Sequence, residues 1–421
     1  MNPELLRNLW LEITPQRLAA MPAVLFILFG TVWLSEGIGD LPDAAWWTGI
    51  AIGVIWGARQ AAGAVMGEVA ARTWDAQRAS ALSPAQMALG KLFGATAYAW
   101  YGVALCVAVH LVSGGSAAEA GGLVLRTALS HGAALFASLV LLGLGGRTLV
   151  LTSLPHLVGM LAAASVENLL MIMTNAGNWY GLALDGRAVA LSSTALFWLW
   201  SIAGCIALLG RELNVRRRLP AWPAFIGFVA LYAAGFGWDM GEAGPLRAAF
   251  LALALLTANT ALVEPKSRAE IARLLSGRFG AVPPSLQALA ATAVVALLLG
   301  FGPVKAPAHG SDFTTLLPIA AVLFLARDIA LIRLLSLRRG GLRGAIAAIV
   351  WFAVLYGMLP VLLASAGAEA LLVMLYPIPV EGIGTATALA LGAPAAQAIL
   401  LWVLLARAVR QGLAPAAPQP A

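Results

Sequence analysis

Apolar residues gather into twelve runs, each long enough to cross a bilayer as a helix, separated by short polar stretches. The runs fall at about 21–36, 46–67, 91–113, 123–145, 149–172 and 193–210, then 220–238, 246–263, 286–304, 315–335, 344–366 and 384–406. Ahead of them, residues 1–20 place Leu5, Leu6, Leu9, Trp10 and Ile13 at helical spacing with charges between, the pattern of a helix lying in the membrane interface. The fold class predicted is all-α: a polytopic helical membrane protein of about twelve transmembrane helices in two pseudo-symmetric six-helix halves, plus an N-terminal interfacial helix.

The halving comes from the polar stretches. The second run ends at Glu68 and the eighth at Glu264, and the longest polar segments of the chain follow both, the second closed by Pro283-Pro284. Six spans is an even number, so the halves would share one orientation about an axis along the membrane normal. The segments predicted are an interfacial elbow helix at 1–20, a first six-span half at 21–212, a second at 213–408, and a disordered cytoplasmic tail at 409–421.

Composition agrees: 61% of residues are hydrophobic and 11% charged, with a mean hydropathy of +0.87, beyond the apolar share of a soluble domain. A net charge of +7 would suggest nucleic acid in a soluble protein, but here the bases sit in short loops. With the N-terminus inside, twenty lysines and arginines fall on the cytoplasmic side, Arg7, Arg17, Arg333 and Arg343 among them, and only Arg126, Arg187, Arg247 and Lys305 outside. That bias puts both termini in the cytoplasm of a cell whose inner (cytoplasmic) membrane holds the chain, bacterial by expectation. Cys106 and Cys205 both lie in apolar runs, which supports no disulfide framework. Charges at Glu4, Arg7, Glu12 and Arg17 precede the first run and no cleavage motif follows it, so the first span is expected to be retained.

Catalytic chemistry is not indicated. Gly90-Lys91 is followed by Leu92, with no phosphate-cradling loop before it, so the chain has no ATPase site of its own. His110, His131, His156 and His309 lack metal-ligand spacing. Ionisable residues inside the apolar runs are the remaining candidates: Arg59, Glu167, Arg327 and Asp328, read as substrate path or interhelical ion pairs. Adjacent residues lie about 100° apart on a helix, so Arg327 and Asp328 are predicted to pair with other spans. Gly49, Gly53 and Gly57 recur every fourth residue, a stripe for close helix packing.

The polar segment EVAARTWDAQRASALSPAQMALGK, 68–91, carries charges of alternating sign, one large ring at Trp74, and a Ser83-Pro84 break before the next apolar run. Glu68, Ser83, Pro84, Gly90 and Lys91 give it a pattern that resembles the permease subunits of ABC exporters of the second type. The resemblance implies a coupling helix here that docks on separate ATP-binding-cassette ATPase subunits, two of them, which bind ATP and Mg. The coupling residues it implies are Glu68, Arg72, Trp74, Asp75, Arg78, Ser83, Pro84, Gly90 and Lys91, with Trp74 against the partner or the lipid. Position and composition add Glu264, Arg268, Glu270, Arg273 and Arg278 as a second lever. It further implies short re-entrant helices in 173–186 and 371–384, for which ordinary outer loops are the equal alternative, and export of a substrate that these residues do not identify. The alternative is an ion-gradient-driven secondary transporter of the six-plus-six-span kind. That class usually has a short turn after span two and a long central loop, whereas RELNVRRRLP (211–220) gives only about ten residues. A membrane enzyme or scaffold is the third reading, disfavoured because the intramembrane acids and histidines do not cluster.

Overall fold

The computed structural model describes residues 2–144, 178–215, 221–264, 271–273, 282–301, 316–339, 341–377 and 385–413, with Leu157, Gly159, Leu161 and Ala164. The described residues are almost entirely helical. Eight helices are long and apolar enough to cross a membrane: Pro15–Ser35, Ile38–Ala70, Ala117–Gly143, Gly186–Glu212, Gly244–Val263, Pro284–Phe301, Arg343–Ser365 and Ala388–Gln411. A ninth is made if Pro84–Gly94 and Ala97–Val112, bent by 49°, form one broken span. Two more predicted runs hold helices that fall short of that standard. Ala221–Phe236 has 16 residues, and Leu317–Arg339 carries Arg327, Asp328 and Arg333. The run at 149–172 lies outside the described residues apart from its four named positions.

Large apolar side chains face outward in a way a water-soluble fold would not sustain. Phe26 is 79% exposed, Ile27 68% and Leu255 66%. The chain is an all-α polytopic membrane protein.

Contacts divide it into two compact units, Met1–Gly177 with Leu184–Ala221, and Asn178–Ala183 with Trp222–Ala421. The first unit begins with α1 (Pro3–Glu12) and α2 (Pro15–Ser35). A continuous helical run follows, made of α3 (Leu41–Gly49), a π-helical stretch Ile50–Gly57, and α4 (Ala58–Ala70). Glycines 49, 53 and 57 face Leu123, Thr127 and His131 of α8 (Ala117–Gly143), so a Cβ at any of them would collide, and His131 bonds the Gly53 carbonyl at 2.9 Å. The glycine stripe is a packing seam, as its spacing predicted. α5 (Trp74–Arg78) and α6 (Pro84–Leu89) lead through the π turn Gly90–Gly94 to α7 (Ala97–Val112); the bend there coincides with Thr96 donating its hydroxyl to the Leu92 carbonyl. α9 (Gly186–Glu212) completes the unit.

The second unit contains a hairpin, β1 (Asn178–Trp179) and β2 (Leu182–Ala183), paired Asn178 with Ala183 and Trp179 with Leu182. Its helices are α10 (Ala221–Phe236), α11 (Gly244–Val263), α12 (Pro284–Phe301), α13 (Leu317–Arg339), α14 (Gly341–Phe352), α15 (Leu359–Ser365) and α16 (Thr385–Leu413). A π stretch, Ala353–Met358, joins α14 to α15, and a short 3-10 helix, Glu369–Met374, precedes α16. The hairpin corrects the expected re-entrant helix: the described part of 173–186 turns back at Tyr180 and Gly181, both with positive φ, and docks on α10. Trp179 donates to the Tyr232 carbonyl at 3.1 Å, and Tyr180 to Gly235 at 2.9 Å and Leu231 at 2.6 Å. Of 371–384, residues 371–374 belong to the 3-10 helix, 375–377 leave it in a turn, and 378–384 lie outside the described residues.

Candidate functional site

The polar segment 68–91 starts where α4 runs out. Arg72 takes a left-handed conformation, φ 59°, and turns the chain so that α5 folds back beneath the span. Ser83 caps α6 through a full capping box with Gln86, and Pro84 occupies its first turn, so the Ser-Pro pair is the start of the returning helix, as predicted.

Between these ends a charged cluster closes the segment onto itself and onto α1. Lys91 is 1% exposed and donates to Glu68 at 2.5 Å and to the Ala64 carbonyl at 3.1 Å, with Glu4 at 3.3 Å. Arg7 reaches Glu68 at 2.6 Å and Glu4 at 3.0 Å, and Gln77 donates to Glu68 at 2.6 Å. Asn8 donates to the Glu4 carboxylate at 3.0 Å and to the Gly90 carbonyl at 3.4 Å. Burial of Arg7 works against its charge, but the hydrogen bond to Glu68 and the charges of Glu4 and Glu68 outweigh that and raise its pKa.

Glycine explains how α1 comes so close. A Cβ at Gly90 would stand 2.7 Å from that of Glu4 and 2.9 Å from the Leu5 amide nitrogen, and one at Gly94 would stand 2.7 Å from the Asn8 Cβ. The polar stripe Glu4, Arg7, Asn8 therefore faces the protein, while Trp10 and Leu11 are exposed at 84% and 62%.

Two expectations for this segment change. Trp74 does not face a partner or lipid: it is 2% exposed, packed in a core with Val65, Met87, Leu92, Leu135, Cys205 and Leu209, and Lys91 sits 5.6 Å over its ring. Nor does Glu68 belong to an outward polar face, because Lys91, Arg7 and Gln77 occupy it. Asp75 on α5 and Arg72 in the turn before it are both exposed. Arg78 donates to the Glu212 carbonyl at 3.1 Å, fastening α5 to the end of α9.

In the second unit, Glu264 ends α11 and is buried. It accepts from the Ser285 amide at 2.9 Å, in the first turn of α12, and pairs with Arg333 of α13 at 3.1 Å; Arg333 also donates to the Ser285 hydroxyl at 3.0 Å. Arg333, read from the sequence as a cytoplasmic topology charge, is in fact 2% exposed inside a helix. Arg273 lies on the exposed side of the short stretch that buries Ile271 against Leu334, Leu405 and Val409. Arg268, Glu270, Arg278 and Glu167 lie outside the described residues.

Arg327 and Asp328 pair with each other at 2.8 Å, contrary to the angular argument, and they also bind other elements. Arg327 donates to the Leu375 carbonyl at 3.2 Å, to Gln397 at 2.9 Å and to the Tyr356 hydroxyl at 2.5 Å, while Tyr356 donates to Asp328. Gln397 donates to the Met374 carbonyl at 3.0 Å. The network joins α13, the π stretch, the 3-10 helix and α16, and its guanidinium is fully used. Arg59, by contrast, is exposed and has no ion pair among the described residues. Among the described residues no group of three potential metal ligands occurs.

No protein-family model matches the chain, and no curated protein or solved structure matches it either. The fold and the buried charge clusters define the class: an all-α, polytopic integral membrane protein.

Proposed function

We propose that the chain is the permease of an ABC exporter, with twelve spans in two six-span halves, both termini cytoplasmic, moving a substrate outward on ATP hydrolysed by separate subunits. One observation carries this reading: the segment 68–91 holds a short helix, α5, that is fastened to its surroundings at three points. Trp74 roots it in the core formed by α4, α6, α8 and α9, the charged cluster ties it to α1 and to the start of the next span, and Arg78 pins it to the end of α9. A push on α5 would reach α4, α7, α8 and α9 together, which is what a coupling lever requires. Docking would fall to the exposed Arg72 and Asp75. Glu68, Trp74, Ser83, Pro84, Gly90 and Lys91 would transmit, with Glu264 and Arg273 in the corresponding place of the second half.

The test is co-purification of the tagged full chain in mild detergent, with sequencing of its partners and assay of their ATPase activity. A partner with a phosphate-binding loop, lost on Arg72→Glu with Asp75→Lys while the chain still melts normally, supports the reading. The secondary-transporter reading draws on the Arg327, Asp328 and Tyr356 cluster. Uptake driven by a proton or sodium gradient in liposomes holding this chain alone would favour it and overturn the permease.

A further inference from the structure

Three buried cations among the described residues each meet a carboxylate: Lys91 meets Glu68, Arg327 meets Asp328, and Arg333 meets Glu264. Arg59, which is exposed, meets none among the described residues. It lies in α4, nine residues before Glu68, so about 13 Å along the helix from that end, within the apolar run Ile38–Ala70. The buried side of α4 is formed by Ala58, Ala61, Ala62, Val65 and Met66. Arg59 lies at the edge of that arc, with Gly63 and Gly67 following on its outer side, and a Cβ at Gly159 would stand 2.6 Å from its Cα. Gly67 has open space beside it. Arg59 is exposed, with no hydrogen bond or ion pair among the described residues.

An arginine stays protonated, and an unpaired charge within hydrocarbon is costly. About 13 Å approaches half of a roughly 30 Å core, farther than an arginine side chain extends, so snorkelling alone does not bring it to the headgroup layer. No described residue supplies its counter-charge, which leaves that role to a ligand. A guanidinium presents a planar fork that matches phosphate oxygens two at a time.

We propose that Arg59 binds the phosphate head of an amphiphile whose tail lies in the apolar surroundings of α4. As a binding site this stands alone; as the place where cargo is taken, it rests on the transport reading above and assigns that cargo to phosphate-bearing amphiphiles.

The test is native mass spectrometry of the purified full chain with dodecyl phosphate, comparing the parent, Arg59→Lys and Arg59→Gln. Occupancy is expected to fall at least tenfold in Arg59→Gln and less in Arg59→Lys, with all three melting alike. Displacement by phosphatidylglycerol would identify a bilayer lipid as the source and resistance to it a distinct amphiphile, and both support the site; displacement by inorganic phosphate as readily as by the lipid would show a free-anion site that uses no tail, and would overturn the proposal. Equal occupancy in the parent and Arg59→Gln would overturn it. So would a charge reversal, Arg59→Glu with Glu167→Arg, that melts like the parent when neither single change does, since the counter-charge would then be internal. No ATPase enters this measurement, so its failure and that of the permease reading are told apart.

Discussion

Glu68 and Glu264 each close an apolar run and precede a long polar stretch, yet the two carboxylates live differently. Glu68 is 15% exposed and accepts from three donors on three separate elements, Arg7 of α1, Gln77 of α5 and Lys91 of the π turn. Glu264 is 6% exposed and, among the described residues, accepts from the buried Arg333 guanidinium and from the Ser285 amide. The first is a junction with redundant partners, and the second is a sealed plug. Redundancy lets one donor leave while Glu68 keeps another cation, which suits a segment that must move as a body. Glu264 and Arg333 instead form a pair sealed from water, 6% and 2% exposed.

The largest effect expected from this difference is at the plug. Glu264→Ala would strand the Arg333 guanidinium, whose Nε already lacks a partner, and should cost about 3–5 kcal/mol, read as a fall in melting temperature in detergent. Replacing both, Glu264→Leu with Arg333→Met, should recover most of that loss, because an apolar pair of similar volume avoids desolvation. If Glu264→Ala melts no lower than Glu68→Ala, the contrast between plug and junction is broken.

How much of this was legible in one dimension differs by residue. The entry to α6 was legible because Ser83, Pro84 and Gln86 act within four residues, and the glycine stripe because packing seams keep helical spacing. Trp74 was misread because its cover, Leu135, Cys205 and Leu209, comes from helices far along the chain, and a buried ring on a polar helix has the same local pattern as an exposed one. Arg333 and Arg343 look alike as basic residues near the end of a run, but one is sealed in α13 and the other is exposed. Arg327 and Asp328 were separated by an argument about helix faces; a long guanidinium folds back across 100°, which Cβ directions do not capture. The hairpin had a usable signal, the pair Tyr180-Gly181, both left-handed as a tight two-residue turn requires. The polar stripe of Glu4, Arg7 and Asn8 was also present at helical spacing. What was missing was its cover, since only the fold brings Gly90 and Gly94 beneath it.

Within the junction, Lys91→Met comes next in size. It removes the one buried cation but leaves Glu68 with Arg7 and Gln77, and Glu4 with Arg7 and Asn8. The loss expected is about 1.5–3 kcal/mol, the range for hydrogen bonds to charged groups, again by melting temperature. A loss as large as that of Glu264→Ala would mean the other donors do not share the load.

The smallest effect on stability is expected from Arg7→Ala, and it discriminates best. Arg7 is 43% exposed, so its pair with Glu68 should contribute about 1 kcal/mol or less, and Lys91 still contacts both glutamates in its absence. What Arg7 adds is a tie between α1 and the polar segment, so its loss should show as easier local release of α1: faster hydrogen exchange at Leu5 to Leu9 with little change in melting. Combined with Lys91→Met, the damage should exceed the sum of the single changes, because only then is Glu68 left with the neutral Gln77 alone. Strict additivity would mean that the two cations act independently, and Glu68 would then join two separate pairs instead of forming one junction.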